Sequence, residues 1–157
     1  MASHRVPWAA SVHEAAHAVA RLHVGAPATD TEVLAGGAGM THGTGGQWLC
    51  RSTGQYALWD LLTVLLAGGL AEAKVSKRAA CLVFMSNAVD DYAQAREVIG
   101  TLVASGFAKN EADAYLRAEA ETKAMLRERW EDVRRLAALL RSSGLAKAGS
   151  ISLSRDA

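Results

Sequence analysis

Cysteine and proline are the scarcest structural residues in this sequence, two of each in 157. Cys50 and Cys81 cannot build a disulfide framework and are expected to sit reduced and partly buried. Charge of one sign is also lacking: Lys and Arg total 17, Asp and Glu 16, for a formal net charge of +1. That balance removes the bulk attraction on which nucleic-acid binding rests, and no dense basic run replaces it. Aromatic residues amount to 6%, and Trp8, Trp48, Trp59 and Trp130 read as core or interface residues rather than a base-stacking platform. No uninterrupted apolar stretch precedes His13, which argues against a secretory leader. The most apolar segment, 57–73, contains Asp60 and falls short of the roughly 20 residues a membrane-spanning helix needs. A soluble, cytoplasmic domain without a membrane span or a nucleic-acid partner is the expectation.

What is present is apolar and helical. Half the residues are hydrophobic and 21% charged, enough for one domain with a core over 1–157. Apolar residues recur at helical spacing from Trp8 to Leu22 after Pro7, and Gly25-Ala26-Pro27 stops that helix. A short β-like run around Val33 and Leu34 follows, then a glycine-rich turn and a possible second strand. Residues 56–74 read as a buried helix, 86–106 as a helix opened by cap-type residues and closed by Gly106, and 110–141 as one long helix. Its apolar face is Leu116, Met125, Leu126, Trp130, Val133, Leu136 and Leu140, while the alternating charges of "RERWEDVRR" read as a solvated face. Residues 145–157 are expected to fray. The fold class is mainly α, with a small β element beside the first helix.

That first helix carries "SVHEAAHAVARLH" (11–23). Positions four apart on a helix lie about 40° apart around the axis and about 6 Å along it, so His13 and His17 can reach one ion. In an H-E-x-x-H zinc site the intervening glutamate, here Glu14, stays off the metal and takes a proton from its water. A competing reading is concrete: Ser11 and Glu14 match the S-x-x-E capping box, in which Glu14 would only cap a helix start. Two histidines in an alanine-rich apolar context would nonetheless be costly to bury unpaired. A catalytic site needs a third ligand.

Three residues qualify. His23 matches metzincin spacing, but Ala20 stands where that pattern needs the glycine that turns the chain, and Gly25 comes too late. On a continued helix His23 lies about 9 Å beyond His17 and off its face. Glu72, in "LLAGGLAEAK", would come from a later helix. Asp91, in "SNAVDDYAQAR", falls in the first turn of another, where the dipole favours a carboxylate. Local physics leaves Glu72 and Asp91 both open. His42 reads as a solvated loop histidine near the β element, and His4 as terminal.

Several separated stretches resemble the peptidase domain of the FtsH family of AAA proteases, in order. "HEAAHAV" is similar to H-E-A-G-H-A, "GGAGMT" (36–41) to the glycine-containing edge strand that follows, "LLAGGLAEA" (65–73) to L-L-G-G-R-x-A-E, and "SNAVDDYAQAR" to T-G-A-x-N-D-L-x-x-A-T. "MLRERWEDVRRLAALL" is similar to the long C-terminal helix. The resemblance implies a helical, zincin-like metallopeptidase fold in which His13, His17 and Asp91 bind Zn2+. It also implies that Glu14 is the catalytic base, and that Glu72 lies near the metal and orients a ligand histidine. Leu70 stands where the family has arginine and Asp90 where it has asparagine; neither removes a ligand or the base.

The activity so implied is zinc-dependent endopeptidase action on unfolded or flexible polypeptide, bound in extended form along an edge strand at 33–41. No G-x-x-x-x-G-K-[ST] occurs, so the glycines of "AGGAGMTHGTGG" read as a turn, and no ATP-driven unfolding is expected of this module by itself. Homo-oligomerisation or an ATPase partner in trans would fit the family pattern. The alternative is a zinc-stabilised interaction module that has kept the site and lost turnover.

Overall fold

The computed structural model describes residues 6–41 and 53–155, except for the side chains of Met40 and Thr41. Helix α1 (Trp8–His23) leads through β1 (Thr31–Val33) and β2 (Gly39–Thr41) to α2 (Gln55–Ser76). Then come α3 (Ala80–Phe84), α4 (Val89–Ala104), α5 (Glu111–Glu128), α6 (Trp130–Ser143), β3 (Leu145–Ala146) and a 3-10 turn at Ala148–Ser150. The architecture is mainly helical with one small antiparallel sheet, as the sequence led one to expect. His4, His42, Trp48 and Cys50 lie outside the described residues. Cys81 is free but exposed, where partial burial was expected.

Two helices form the centre. Helix α1 is buried continuously from Ser11 to Arg21, because α2, α6 and the sheet cover it on different sides. Its small residues Ala15, Ala16 and Ala20 let those neighbours approach, and Val12 and Val19 fill the gaps between them. Helix α2 spans 22 residues and is long and apolar enough to cross a membrane by length and composition; the 57–73 segment alone understated it. Its apolar window is 67% buried inside the fold, against α1, α3, α4 and α5. A helix apolar all round is one buried all round, and α2 is the core helix of this protein.

Helix 110–141 is in fact two. The chain bends at Arg129 (φ −104, ψ 16), where α5 ends and α6 begins, although Arg129 N still donates to Met125 O at 2.9 Å and Val133 N to Arg129 O at 3.0 Å. Neither glycine nor proline marks the break. The bend lets α5 pack on α2 and α4 while α6 turns to pack on α1. Leu116, assigned to the apolar face, is 61% exposed, and Ala114 and Ala118 face the core instead; Met125 is buried as expected.

The sheet order is β2-β1-β3, both pairings antiparallel. Val33 pairs with Gly39 across a turn in which Gly37 takes φ +85, and Glu32 pairs with Leu145 on the other side. Among the described residues the strand around Val33 is therefore interior, and β2 is the edge nearer α1. This corrects the expected edge at 33–41 to 39–41. As far as residue 155 the tail does not fray either. Beyond β3, Ser154 donates through N (2.9 Å) and Oγ (3.0 Å) to the buried carboxylate of Asp132, which also accepts from Arg135 (2.7 Å). Asp132 thus leaves the expected solvated face because the tail covers it.

Candidate metal centre

The helix begins earlier than the capping-box reading requires. Pro7 is the N-cap, and Ser11 Oγ donates to Pro7 O (3.1 Å) from within the helix. Glu14 therefore lies in the second turn and caps nothing. Helix α1 also runs unbroken through Ala20, so that His23 ends exposed at its last position, outside the cluster that forms. His13 and His17 meet Asp91 across 78 and 74 positions of chain.

Their geometry is a near-equilateral triangle. His13 Nε2 to His17 Nε2, His13 Nε2 to Asp91 Oδ2, and His17 Nε2 to Asp91 Oδ2 are each 3.1 Å. Both imidazoles are anchored from behind. His17 Nδ1 donates to the carbonyl of Val64 (2.7 Å), and His13 Nδ1 to Glu72 Oε2 (2.9 Å). Asn87 Nδ2 donates to the other oxygen of Glu72, completing the chain behind His13. The cap-type residues at the start of 86–106 do not cap: α4 starts on Ala88 with no side-chain cap. No sequence signal distinguishes an asparagine that caps from one that reaches a glutamate fifteen positions back.

The Nδ1 partners settle the tautomers. A backbone carbonyl only accepts, so His17 Nδ1 carries the hydrogen. Burial pushes the Glu72 carboxyl up, but hydrogen bonds from His13 and Asn87, with the nearby charges of His13 and Arg78, outweigh it and hold the group below its usual range. An ionised Glu72 likewise takes the His13 Nδ1 hydrogen. Each neutral imidazole then presents a bare lone pair at Nε2, and Asp91 offers only acceptors. Three acceptors face one another with no hydrogen among them, an arrangement that requires a cation at its centre.

Without a metal that cation is a proton. Burial pulls His13 down, but Asp91, Glu72 and Glu14 together lift it to about 9. Burial raises Asp91, yet the two histidines bring it well below the ordinary carboxylate range. A divalent ion could take the place of that proton: bonds of about 2.0–2.1 Å at tetrahedral angles need donors about 3.3 Å apart, close to the spacing found. The residues fit a metal of the nitrogen–oxygen class.

Glycines on neighbouring elements leave the room. A Cβ at Gly68 of α2 would stand 2.7 Å from His13 Nε2 and closer still to that of His17. A Cβ at Gly39 of β2 would stand 2.7 Å from Glu14 Oε1. The adjacent Gly69 faces the other way, with a Cβ there entering the Phe84 ring. Phe84 in turn stacks on Tyr92 at 5.4 Å, next to Asp91. The Gly68-Gly69 pair thus admits the histidines on one side and seats the α3–α4 corner that carries Asp91 on the other.

Two hollows open on the site and share Glu14 and Gly39. One, of about 550 Å³, is lined by His13, Glu14, Glu72, Asn87 and the 36–39 turn. The other, of about 440 Å³, is lined by Glu14, His17, Asp91, Leu61, Leu65 and the buried Arg21. Glu14 stands where they meet. The chain matches no protein-family model and no curated protein.

Proposed function

We propose that this protein is a zinc-dependent endopeptidase of the FtsH-peptidase type, with a zincin-like site, acting on unfolded or flexible polypeptide. The observation that carries the proposal is the convergence of two Nε2 lone pairs and a carboxylate oxygen at 3.1 Å spacing, with Glu14 one residue from a ligand and clear of the triangle. Imidazole and carboxylate donors in a three-ligand set favour zinc in a catalytic rather than a closed structural site. His13, His17 and Asp91 would hold the ion, which supplies a water acidified toward neutral pH and polarises a carbonyl.

The chain's own residues do the rest. Glu14 takes the proton of the attacking water at a carboxylate oxygen and hands it to the leaving amine nitrogen. Glu72 holds His13 in the tautomer that keeps Nε2 free, and Val64 does the same for His17. An extended peptide pairs its backbone with β2, the outer strand on that side among the described residues, and lies across the two hollows. Gly39, lacking a Cβ, brings that strand against Glu14. Partners of this module, whether another copy or an ATPase that delivers unfolded chain, belong to the same proposal.

Two measurements test it together. Purified protein dialysed against metal-free buffer should retain about one zinc per chain by elemental mass spectrometry, and should cleave an unstructured, internally quenched polypeptide. Glu14→Gln should keep the zinc and abolish the cleavage. Folded protein that neither retains nor takes up zinc would overturn the reading. Zinc retained with no cleavage of any unfolded substrate would leave the interaction module in its place.

A further inference from the structure

On the opposite flank of α2 lies a further hollow of about 360 Å³, between α2 and α5 and separate from the metal centre. Its floor is apolar: Leu70, Ala73 and Leu126 are buried there. Its rim is Lys74, Arg78, Lys123 and Arg127, all exposed, and no carboxylate lines it among the described residues. A helix C-terminus accepts cations for its own dipole, which accounts for Lys74 in the last turn of α2 and Arg127 in the last turn of α5. It does not account for Arg78 and Lys123 joining them around one apolar floor, in a protein whose net charge is only +1.

The rim's own partners leave most of that charge uncompensated. Lys123 pairs with Glu119 at 2.7 Å. Arg78 donates hydrogen bonds only to neutral groups, from Nη2 to Ser86 Oγ (3.1 Å) and more weakly to Leu82 O (3.5 Å), while its charge also acts on the buried Glu72 carboxylate. Lys74 lies over the Trp130 ring, 3.9 Å from its centroid. Arg127 forms no ion pair among the described residues. Lys123 and Arg127 stand four apart on α5, a spacing at which like charges destabilise a helix.

We infer that this hollow binds a phosphate monoester with an apolar body, the phosphate reaching the rim and the body lying on Leu70, Ala73 and Leu126. A dianion with three acceptor oxygens can engage cations arriving from two helices, and guanidinium groups bind it in a bidentate manner. The hollow has the size and the apolar floor with polar rim of a small-molecule site. The inference is independent of the peptidase reading.

Amide chemical-shift mapping of the zinc-loaded full chain tests it, with phenyl phosphate, inorganic phosphate and phosphatidic-acid vesicles as probes. Phenyl phosphate should shift residues 70–80 and 123–127 saturably and bind at least about tenfold more tightly than inorganic phosphate. Lys74→Gln with Arg127→Gln should weaken it by about tenfold or more, while the exposed Lys109→Gln leaves it unchanged. Sedimentation with the vesicles would assign the ester to a lipid headgroup, and binding of phenyl phosphate without sedimentation to a soluble ester; either supports the site. No saturable shift there up to about 10 mM, which is weaker than about −3 kcal/mol, would overturn it. So would equal affinity for phenyl and inorganic phosphate, or unchanged affinity in the double variant.

Discussion

Gly68→Ala places one methyl group against the metal centre. Helix propensity alone favours the change by about 1 kcal/mol, since glycine in a helix interior is the poorer former. The surroundings oppose it. The new Cβ would stand 2.7 Å from His13 Nε2 and 2.8 Å from its Cδ2, where ordinary contact begins at 3.4 Å. The His13 ring must therefore retreat by 3.4 − 2.7 = 0.7 Å, and that of His17 by more. Neither can do so freely, because Glu72 and the Val64 carbonyl hold both rings from behind. Overpacking of this kind costs about 1–3 kcal/mol, so net stability without metal should fall by up to about 2 kcal/mol. Zinc affinity should fall further, by about tenfold to a hundredfold, because bond lengths tolerate only about 0.2 Å of displacement. Gly100→Ala on α4 is the control: a Cβ there meets nothing within 4 Å, and stability should rise by about 0.5–1 kcal/mol with zinc affinity unchanged. Urea denaturation of the metal-free proteins and zinc titration against a competing chelator measure both quantities. If Gly68→Ala is stabilised like Gly100→Ala and binds zinc like the parent, the close approach of α2 to the histidines is refuted.

Glu72→Gln should leave the fold intact and weaken zinc by about 10–100-fold, since a neutral amide no longer enforces the His13 tautomer; competitive chelation reads it. Glu14→Gln should lower cleavage by at least about a hundredfold with zinc content unchanged, checked by elemental analysis of the same sample. Metal-free stability should depend on pH through His13. Its folded value, about 9, lies above the ordinary 6.5, so its contribution is complete below 6.5 and lost as pH rises toward 9. The Asp91 contribution, from a depressed carboxyl, is instead lost as pH falls below its ordinary value of 3.8. Thermal unfolding of metal-free protein should therefore weaken from pH 6.5 to 9, and saturating zinc should abolish that alkaline decline; a flat metal-free profile would refute the shared-proton account. Asp132→Ala should cost about 1–3 kcal/mol in urea by releasing Ser154 and the tail, and no change would show the tail contributes nothing.

Most of the candidate metal centre could be read from spacing. His13, Glu14 and His17 lie within one and a half turns of a single helix, so their mutual placement follows from helix geometry once the helix is assigned. Asp91 and Glu72 were named as well, but residue chemistry left them equivalent as third ligands, and the resemblance chose between them. Fold positions were less legible. Arg129 carries no breaker, so the bend between α5 and α6 followed from which neighbours each half packs against. The tail and the Asp132 carboxylate looked solvated because each hides the other.

By itself, then, the sequence determined what is local: the amphipathic and buried helices, the turn glycines, and the pair of histidines on one helical face, all set by periodicities of 3.6 residues and by backbone sterics. Tertiary structure alone decided what depends on distance between elements. It brought Asp91 to the triangle and Glu72 behind His13, sent Asn87 to Glu72 rather than to a helix cap, and set Gly68 against the imidazoles and Gly39 against Glu14. It also drew four cations of α2, α5 and the turn after α2 around one apolar floor. Side chains 50 to 80 positions apart meet only because α1 and α2 bury each other's small residues, and pairings of that kind are fixed by packing that no local pattern encodes.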